Sequence, residues 1–283
     1  MYKASPSIYL LIGCLGYLGS HFAAASQKKG LSAYAPFFLC DDFRVLNNMS
    51  WWYGWEDAMN LYNQYVTNKC PSPQAHMPEF VPMVWSMHSN NVSRWIHIPS
   101  NSKYVLGFNE PDHRDQANMT PQEAADYWPL IEQAAVGIPL VAPAPGAQNF
   151  HWLDTFLYLC HNCRIDYFAA HLYSCNADET MAYLQKLYTR YHKPIWLTEF
   201  GCAYMADEES QLRLMQALLP KLEAADYVFR YSWFTARIKK DTGGGFVRTS
   251  MSLLAPNSAT LTRLGHFYND FQSGHGTGSV PVG

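Results

Sequence analysis

Short runs of apolar, β-branched and aromatic residues recur along the chain, at 30–35, 49–55, 79–85, 104–110, 139–144, 165–173, 194–200 and 229–235. Runs of this length bounded by turn residues read as buried strands. Several of the intervening stretches carry apolar residues at helical spacing instead. Met181, Leu184, Leu187, Tyr188 and Tyr191 form one such stripe, and Leu212, Met215, Leu218, Leu219 and Leu222 form another. Leu261, Leu264, Phe267, Tyr268 and Phe271 predict a closing helix. Thr120-Pro121-Gln122-Glu123 is a capping box with proline at the first helical position, opening a helix toward Ala135. Pro129 is expected to kink that helix and Pro220 to break a later one. The early segment is less regular, and its second and third helices are not predicted on their own. Alternating strands and helices predict an α/β fold, and eight strands are the number that a single (β/α)8 TIM barrel requires.

The ends of the chain read differently. Residues 1–25 place Lys3 before an apolar stretch from Ile8 to Phe22, followed by Ala23-Ala24-Ala25. That is the layout of a secretory signal peptide with a small-residue cleavage site. Gly13, Gly16, Gly19 and His21 interrupt the run, which is also short for a membrane span. Residues 26–283 then form one domain, with 272–283 a Gly- and Ser-rich tail expected to fray. Three Asn-x-Ser/Thr sequons, at Asn48, Asn91 and Asn118, fit export. Removing Cys14 with the signal leaves Cys40, Cys70, Cys160, Cys163, Cys175 and Cys202, an even set that permits three disulfides. Cys175 and Cys202 each follow a strand end and are expected to pair. Cys160-His161-Asn162-Cys163 has no second matching pair, so no metal is predicted.

Composition narrows the function classes. Of 283 residues, 48% are hydrophobic and 15% charged, enough apolar material for a large core. The net charge of −3, without a long basic run, excludes a nucleic-acid footprint. Nine Trp, 19 Tyr and 15 Phe are many for this length; most belong in a core, and some are suited to pave a sugar groove. Gly243-Gly244-Gly245 lacks the Gly-Lys-Ser/Thr of a phosphate loop and reads as a rim loop.

Two of the apolar runs end in carboxylates: Tyr-Val-Leu-Gly-Phe-Asn-Glu-Pro-Asp, with Glu110, and Lys-Pro-Ile-Trp-Leu-Thr-Glu-Phe-Gly-Cys, with Glu199. Pro111 predicts an extended backbone up to Glu110. Parallel strands of a barrel end on one face, so the two glutamates are expected to flank one cleft. Cleavage of a glycosidic bond needs such a pair, one to protonate the leaving oxygen and one to meet the oxocarbenium-like carbon. Asp112 and Asp166 are read as structural.

At these residues the sequence resembles a known family. Gly-Phe-Asn-Glu-Pro-Asp, the run from Ile165 to Cys175, the run from Pro194 to Cys202 and Tyr-Ser-Trp-Phe at 231–234 resemble, in order, the motifs of glycoside hydrolase family 128, a clan A family. The resemblance implies a retaining endo-β-1,3-glucanase with Glu110 as general acid/base and Glu199 as nucleophile. It implies that Asn109 bonds the sugar 2-hydroxyl and that His171 and Tyr173 stand beside Glu199, Tyr173 orienting it. Trp233 is then a sugar platform, with Trp85 and Trp52 as weaker ones; Leu172 stands where relatives often carry Trp. Glu110 is expected to be raised in pKa by burial and by the Glu199 charge. The implied partner is a β-1,3-glucan polysaccharide acted on without a cofactor by a secreted, extracellular or cell-wall monomer with no stable membrane association. A glucan-binding protein on a hydrolase scaffold, or a hydrolase of another β-linked polysaccharide, is the alternative.

Overall fold

The computed structural model describes residues 26–70, 77–87, 96–146, 148–205 and 207–272. The expected signal peptide at 1–25, the Asn91 sequon and the end of the tail lie outside them. Each predicted run contains or overlaps a strand: β1 (Lys29–Ser32), β2 (Trp51–Tyr53), β3 (Glu79–Phe80), β4 (Val105–Leu106), β5 (Leu140–Val141), β6 (Phe168–Leu172), β7 (Ile195–Phe200) and β8 (Val228–Trp233). Six form a sheet in the order β3-β2-β1-β8-β7-β6, and β4 pairs with β5; every pairing is parallel. Isolated parallel bridges Met83–Leu106 and Val141–Tyr167 join the two sheets on either side. The fold is α/β, and parallel strands bring their carboxyl ends to one side.

The helices are α1 (Asp42–Val45), α2 (Asn60–Tyr62, running into a π turn at Asn63–Thr67), α3 (Pro121–Ala134), α4 (Phe150–Leu159), α5 (Ala177–Tyr191), α6 (Glu208–Ala224) and α7 (Arg263–Asp270). No helix separates β3 from β4 among the described residues. The capping box forms as predicted: Thr120 Oγ1 accepts from the Glu123 amide at 3.2 Å, and the Thr120 amide donates to the Glu123 carboxylate at 2.7 Å. Pro220 does not break α6, which continues to Ala224, and α3 likewise continues through Pro129. Both prolines lie on exposed faces of their helices.

Side chains alternate between two core layers. Trp51, Tyr53, Met83, Leu106, Val141 and Trp196 fill the space inside the sheet, while Trp52, Ile195, Leu197, Phe200, Tyr231 and Trp233 pack outward against the helices. Gly30 leaves the inner space that the Trp51 indole fills. The alternation slips once in β7. Ala170 pairs with Leu197 but the next residue, His171, pairs with Glu199, so β7 carries one extra residue there. Such a bulge re-aims a side chain. Leu197 and Phe200 both face the helices, and Glu199 is turned toward the strand-end cleft.

The six cysteines among the described residues all pair, Cys40–Cys70, Cys160–Cys163 and Cys175–Cys202, the last as expected. On the carboxyl-end side, Arg237 ties three loops together. Its guanidinium meets Asp42 at 2.5 Å, donates to the carbonyls of Phe37 at 3.0 Å and Ser258 at 2.8 Å, and also reaches the Ala255 carbonyl. Both members of the ion pair are buried. Arg237→Met leaves Asp42 as an uncompensated buried charge and should cost about 3–5 kcal/mol in urea unfolding. A loss below about 1 kcal/mol would show that the pair does not hold these loops.

Candidate active site

Glu199 sits at the carboxyl end of β7 with only 5% of its surface exposed. Such a carboxylate needs donors, and three side chains approach it. The Tyr173 hydroxyl donates to Oε2 at 2.5 Å, and the Trp55 indole N–H donates to Oε1 at 2.9 Å. The Tyr53 hydroxyl lies 3.3 Å from Oε1 and 3.0 Å from the Thr198 carbonyl. Tyr173 follows β6, whereas Tyr53 ends β2 and Trp55 follows it. The site therefore draws on strands on both flanks of β7.

Glu110 faces it from the end of the β4 segment. Its backbone is not extended: φ is +39°, in the left-handed region, contrary to what Pro111 suggests. Two hydrogen bonds hold this turn, from the Glu110 amide to the Ala144 carbonyl at 2.9 Å and from the His113 amide to the Glu110 carbonyl at 2.9 Å. The strain, about 1–3 kcal/mol, is of the kind that concentrates at functional sites. His171, inward-facing on β6, connects the two acids. Its Nδ1 lies 2.9 Å from Glu110 Oε1 and 3.5 Å from Glu199 Oε2. Its Nε2 meets no partner among the described residues. One ligating atom from each of the three groups lies within 4.8 Å of the others.

This contact reverses the expected ordering of proton affinities. Burial acts to raise Glu110, but the His171 hydrogen bond, the His171 charge and the His113 charge outweigh it and hold Glu110 below its ordinary value. Burial raises Glu199; the Glu110 charge adds to this, and His171, Tyr173 and Trp55 offset only part. Burial acts to lower His171, but the Glu199 charge and the Glu110 hydrogen bond and charge raise it above 6.5. Glu110 thus lies below and His171 above its ordinary value, and the 2.9 Å contact between them is the cause common to both shifts.

The remaining predicted residues divide. Asn109 is buried beside Glu110; its Nδ2 donates to Gln116 Oε1 at 3.1 Å, and its Oδ1 has no partner among the described residues. Trp85 lines a cavity of about 810 Å³ that Trp55 and Gln116 connect to the catalytic groups. Trp233 is a correction: it is fully buried among the outward-facing residues, its indole donating to the Met251 carbonyl at 2.8 Å, and no ring face is left for a sugar. Trp52 is buried in the same layer. Phe234, one residue on, has the inward phase and contacts both Trp55 and Tyr173. Asp112 is structural, accepting from the Gly146 amide at 2.7 Å and the Asn149 side chain at 2.8 Å; Asp166 accepts from the Leu140 amide at 2.8 Å. Tyr53, Trp55 and Gln116 were not predicted. For Tyr53 the alternation within Trp51-Trp52-Tyr53 is a usable signal once the inward phase is known.

Residues 38–268 match the family described as Glycosyl hydrolase catalytic core. The chain is 32% identical to a solved endo-β-1,3-glucanase of family 128, subgroup II, from Pseudomonas viridiflava, covering 88% of this chain and 99% of that one with a TM-score of 0.67. The chain belongs to glycoside hydrolase family 128. Family 128 also includes a subgroup V exo-β-1,3-glucanase from Cryptococcus neoformans, 27% identical over 85% of this chain and 97% of that one, with a TM-score of 0.72. A subgroup I endo-β-1,3-glucanase from Amycolatopsis mediterranei, solved with laminaritriose, is 27% identical over 86% and 99%, with a TM-score of 0.66. Among curated proteins, Alkali-sensitive linkage protein 1 of Schizosaccharomyces pombe is 28% identical over 263 residues, 87% of this chain; the chain spans 45% of that relative's length. The chain thus carries the catalytic core of a glycoside hydrolase family, and the paired carboxylates are its catalytic candidates.

The family 128 cluster makes a direct electrostatic prediction. In an NMR titration the His171 ring should change charge above its ordinary 6.5, and in Glu110→Gln, which removes one carboxylate and its charge, the midpoint should fall. A midpoint unmoved by that substitution would mean that the two groups do not share a proton.

Proposed function

We propose that this enzyme cleaves β-1,3-glucan by double displacement, acting within the chain. The observation that carries the reading is the separation of the acids, whose nearest carboxylate oxygens lie within 4.8 Å. Retaining enzymes hold the groups about 5–5.5 Å apart, whereas inverting ones leave about 6.5–9.5 Å for a water between them. The substrate assignment rests on the glucanases that the chain resembles. Two of those described are endo-acting, and the exo-acting Cryptococcus enzyme supports end-on attack as the second reading.

In the first step the Glu199 carboxylate attacks the anomeric carbon. The bond from that carbon to the glycosidic oxygen breaks as the oxygen takes the proton shared by Glu110 and His171. The donors on Glu199, Tyr173 and Trp55, orient its attacking oxygen and later stabilise it as a leaving group. In the second step water gives its proton back to the Glu110–His171 pair and displaces Glu199 from carbon, restoring the starting configuration. The open Oδ1 of Asn109 is placed to accept from the sugar 2-hydroxyl, and Trp55, Trp85 and Phe234 offer ring faces to the pyranose. No metal or cofactor enters this scheme.

The same reading takes residues 26–272 as a closed (β/α)8 barrel, supported by the bridges that join β4–β5 to the larger sheet on both sides. It takes residues 1–25 as a cleaved signal and the protein as a secreted monomer. Three disulfides favour an oxidising compartment, and no helix among the described residues is long and apolar enough to cross a membrane. The test is hydrolysis of laminarin followed by proton NMR of the first-formed reducing end. Retained configuration is expected, with turnover abolished in Glu199→Gln while laminari-oligosaccharide binding persists. An inverted product, or a Glu199→Gln enzyme with substantial activity, would contradict the mechanism.

A further inference from the structure

The sequon Asn118-Met119-Thr120 lies on the wall of the cavity beside the catalytic groups. Asn118 is exposed between buried Ala117 and Met119, so its side chain is turned outward, and it makes no hydrogen bond among the described residues. Its φ of +50° is a left-handed conformation that asparagine tolerates well. The backbone on either side is pinned to the catalytic strand end: the Ala117 amide donates to the Asn109 carbonyl at 3.2 Å and the Met119 amide to the Pro111 carbonyl at 2.6 Å. Gln116, two residues earlier, bonds the Asn109 side chain. The other described sequon asparagine is placed differently. Asn48 is half-buried just before β2, at the amino end of the strands and away from the glutamates, with its amide held by Asn269 Oδ1 at 3.2 Å.

We propose that Asn118 carries an N-linked glycan that stands at the rim of the cavity and closes that end of the cleft to long substrate chains. A branched, hydrated oligosaccharide on a backbone anchored this firmly would occupy the space into which a polysaccharide extends from Trp55 and Trp85. It leaves Glu110, His171 and Glu199 untouched, since it enters from the solvent side of the wall. The fence therefore alters how many sugars the cleft takes without altering the chemistry. The effect on chain length rests on the glucan reading above; the modification itself does not.

The test uses the full chain secreted from a yeast. Peptide mass spectrometry reads occupancy at Asn118, and calorimetry reads laminaritriose and laminarihexaose affinity in a Glu199→Gln background, with and without Asn118→Gln. Asn118 is expected to be occupied. Its removal should raise the hexaose-to-triose affinity ratio about tenfold, the worth of roughly one sugar subsite. Asn48→Gln should leave the ratio unchanged, and Thr120→Ser, which keeps both sequon and helix cap, should retain the glycan and the low ratio. An unoccupied Asn118, or an equal ratio with and without its glycan, overturns the proposal. Failure of both forms to bind either oligosaccharide while Asn118 is occupied would overturn the glucan reading and, with it, the fence, but not the modification.

Discussion

Glu199 is a carboxylate placed almost beyond the reach of water, and the architecture around it offsets part of that burial. An isolated buried carboxylate would protonate and lose the charge that the proposed nucleophilic role requires. Tyr173 and Trp55 donate to its two oxygens, Tyr53 stands close by, and the His171 ring lies 3.5 Å away. These partners come from β2 and β6, and β8 lies against β7 between them. Only parallel strands delivering their ends to one side could gather them around one group. The extra residue in β7 then turns Glu199 itself into the cleft. Sheet, bulge and hydrogen-bond shell are one arrangement serving one charge.

The same constraint accounts for the unexpected state of Glu110. With Glu199 fixed beside it, a proton on Glu110 alone would be the simplest way to relieve repulsion between the acids. His171 supplies another, because an imidazole 2.9 Å from Glu110 and 3.5 Å from Glu199 is raised in proton affinity by both acids and, when protonated, sets a positive charge between them. The strained turn at Glu110 follows from this geometry, since its two backbone hydrogen bonds hold the carboxylate where His171 can meet it. A hydrogen bond to an imidazole suits the acid/base role proposed for Glu110, which would donate in one step and accept in the next.

Much of this was legible in the sequence, for identifiable reasons. Buried strands announce themselves as apolar runs, so all eight were found, and the carboxylates that end two of them were found with them. The Thr120–Glu123 cap and the Cys175–Cys202 pair also follow from local spacing or from strand order. What failed depended on facing. Trp233 and Trp52 look like sugar platforms by composition, but one-residue phase puts both against the helices, and Tyr53 and Phe234 face the cleft instead. A run of consecutive aromatics carries no absolute phase, and the slip in β7 erases what alternation would otherwise predict. The turn at Glu110 was hidden because its causes, the Ala144 carbonyl and the His113 amide, come together only in three dimensions. Pro220 misled for a related reason: its cost depends on exposure, which sequence spacing does not reveal.

The central claim is that Glu199, and no other carboxylate, bonds to the sugar during turnover. The most direct measurement is to trap that intermediate with a 2-deoxy-2-fluoro-laminaribiosyl fluoride, whose 2-fluorine slows both steps while its good fluoride leaving group restores the first, so that the intermediate accumulates. Mass spectrometry of the digested protein should find one added disaccharide, on the peptide containing Glu199, and none in Glu199→Gln. A label on Glu110, Asp112 or any other residue would contradict the account.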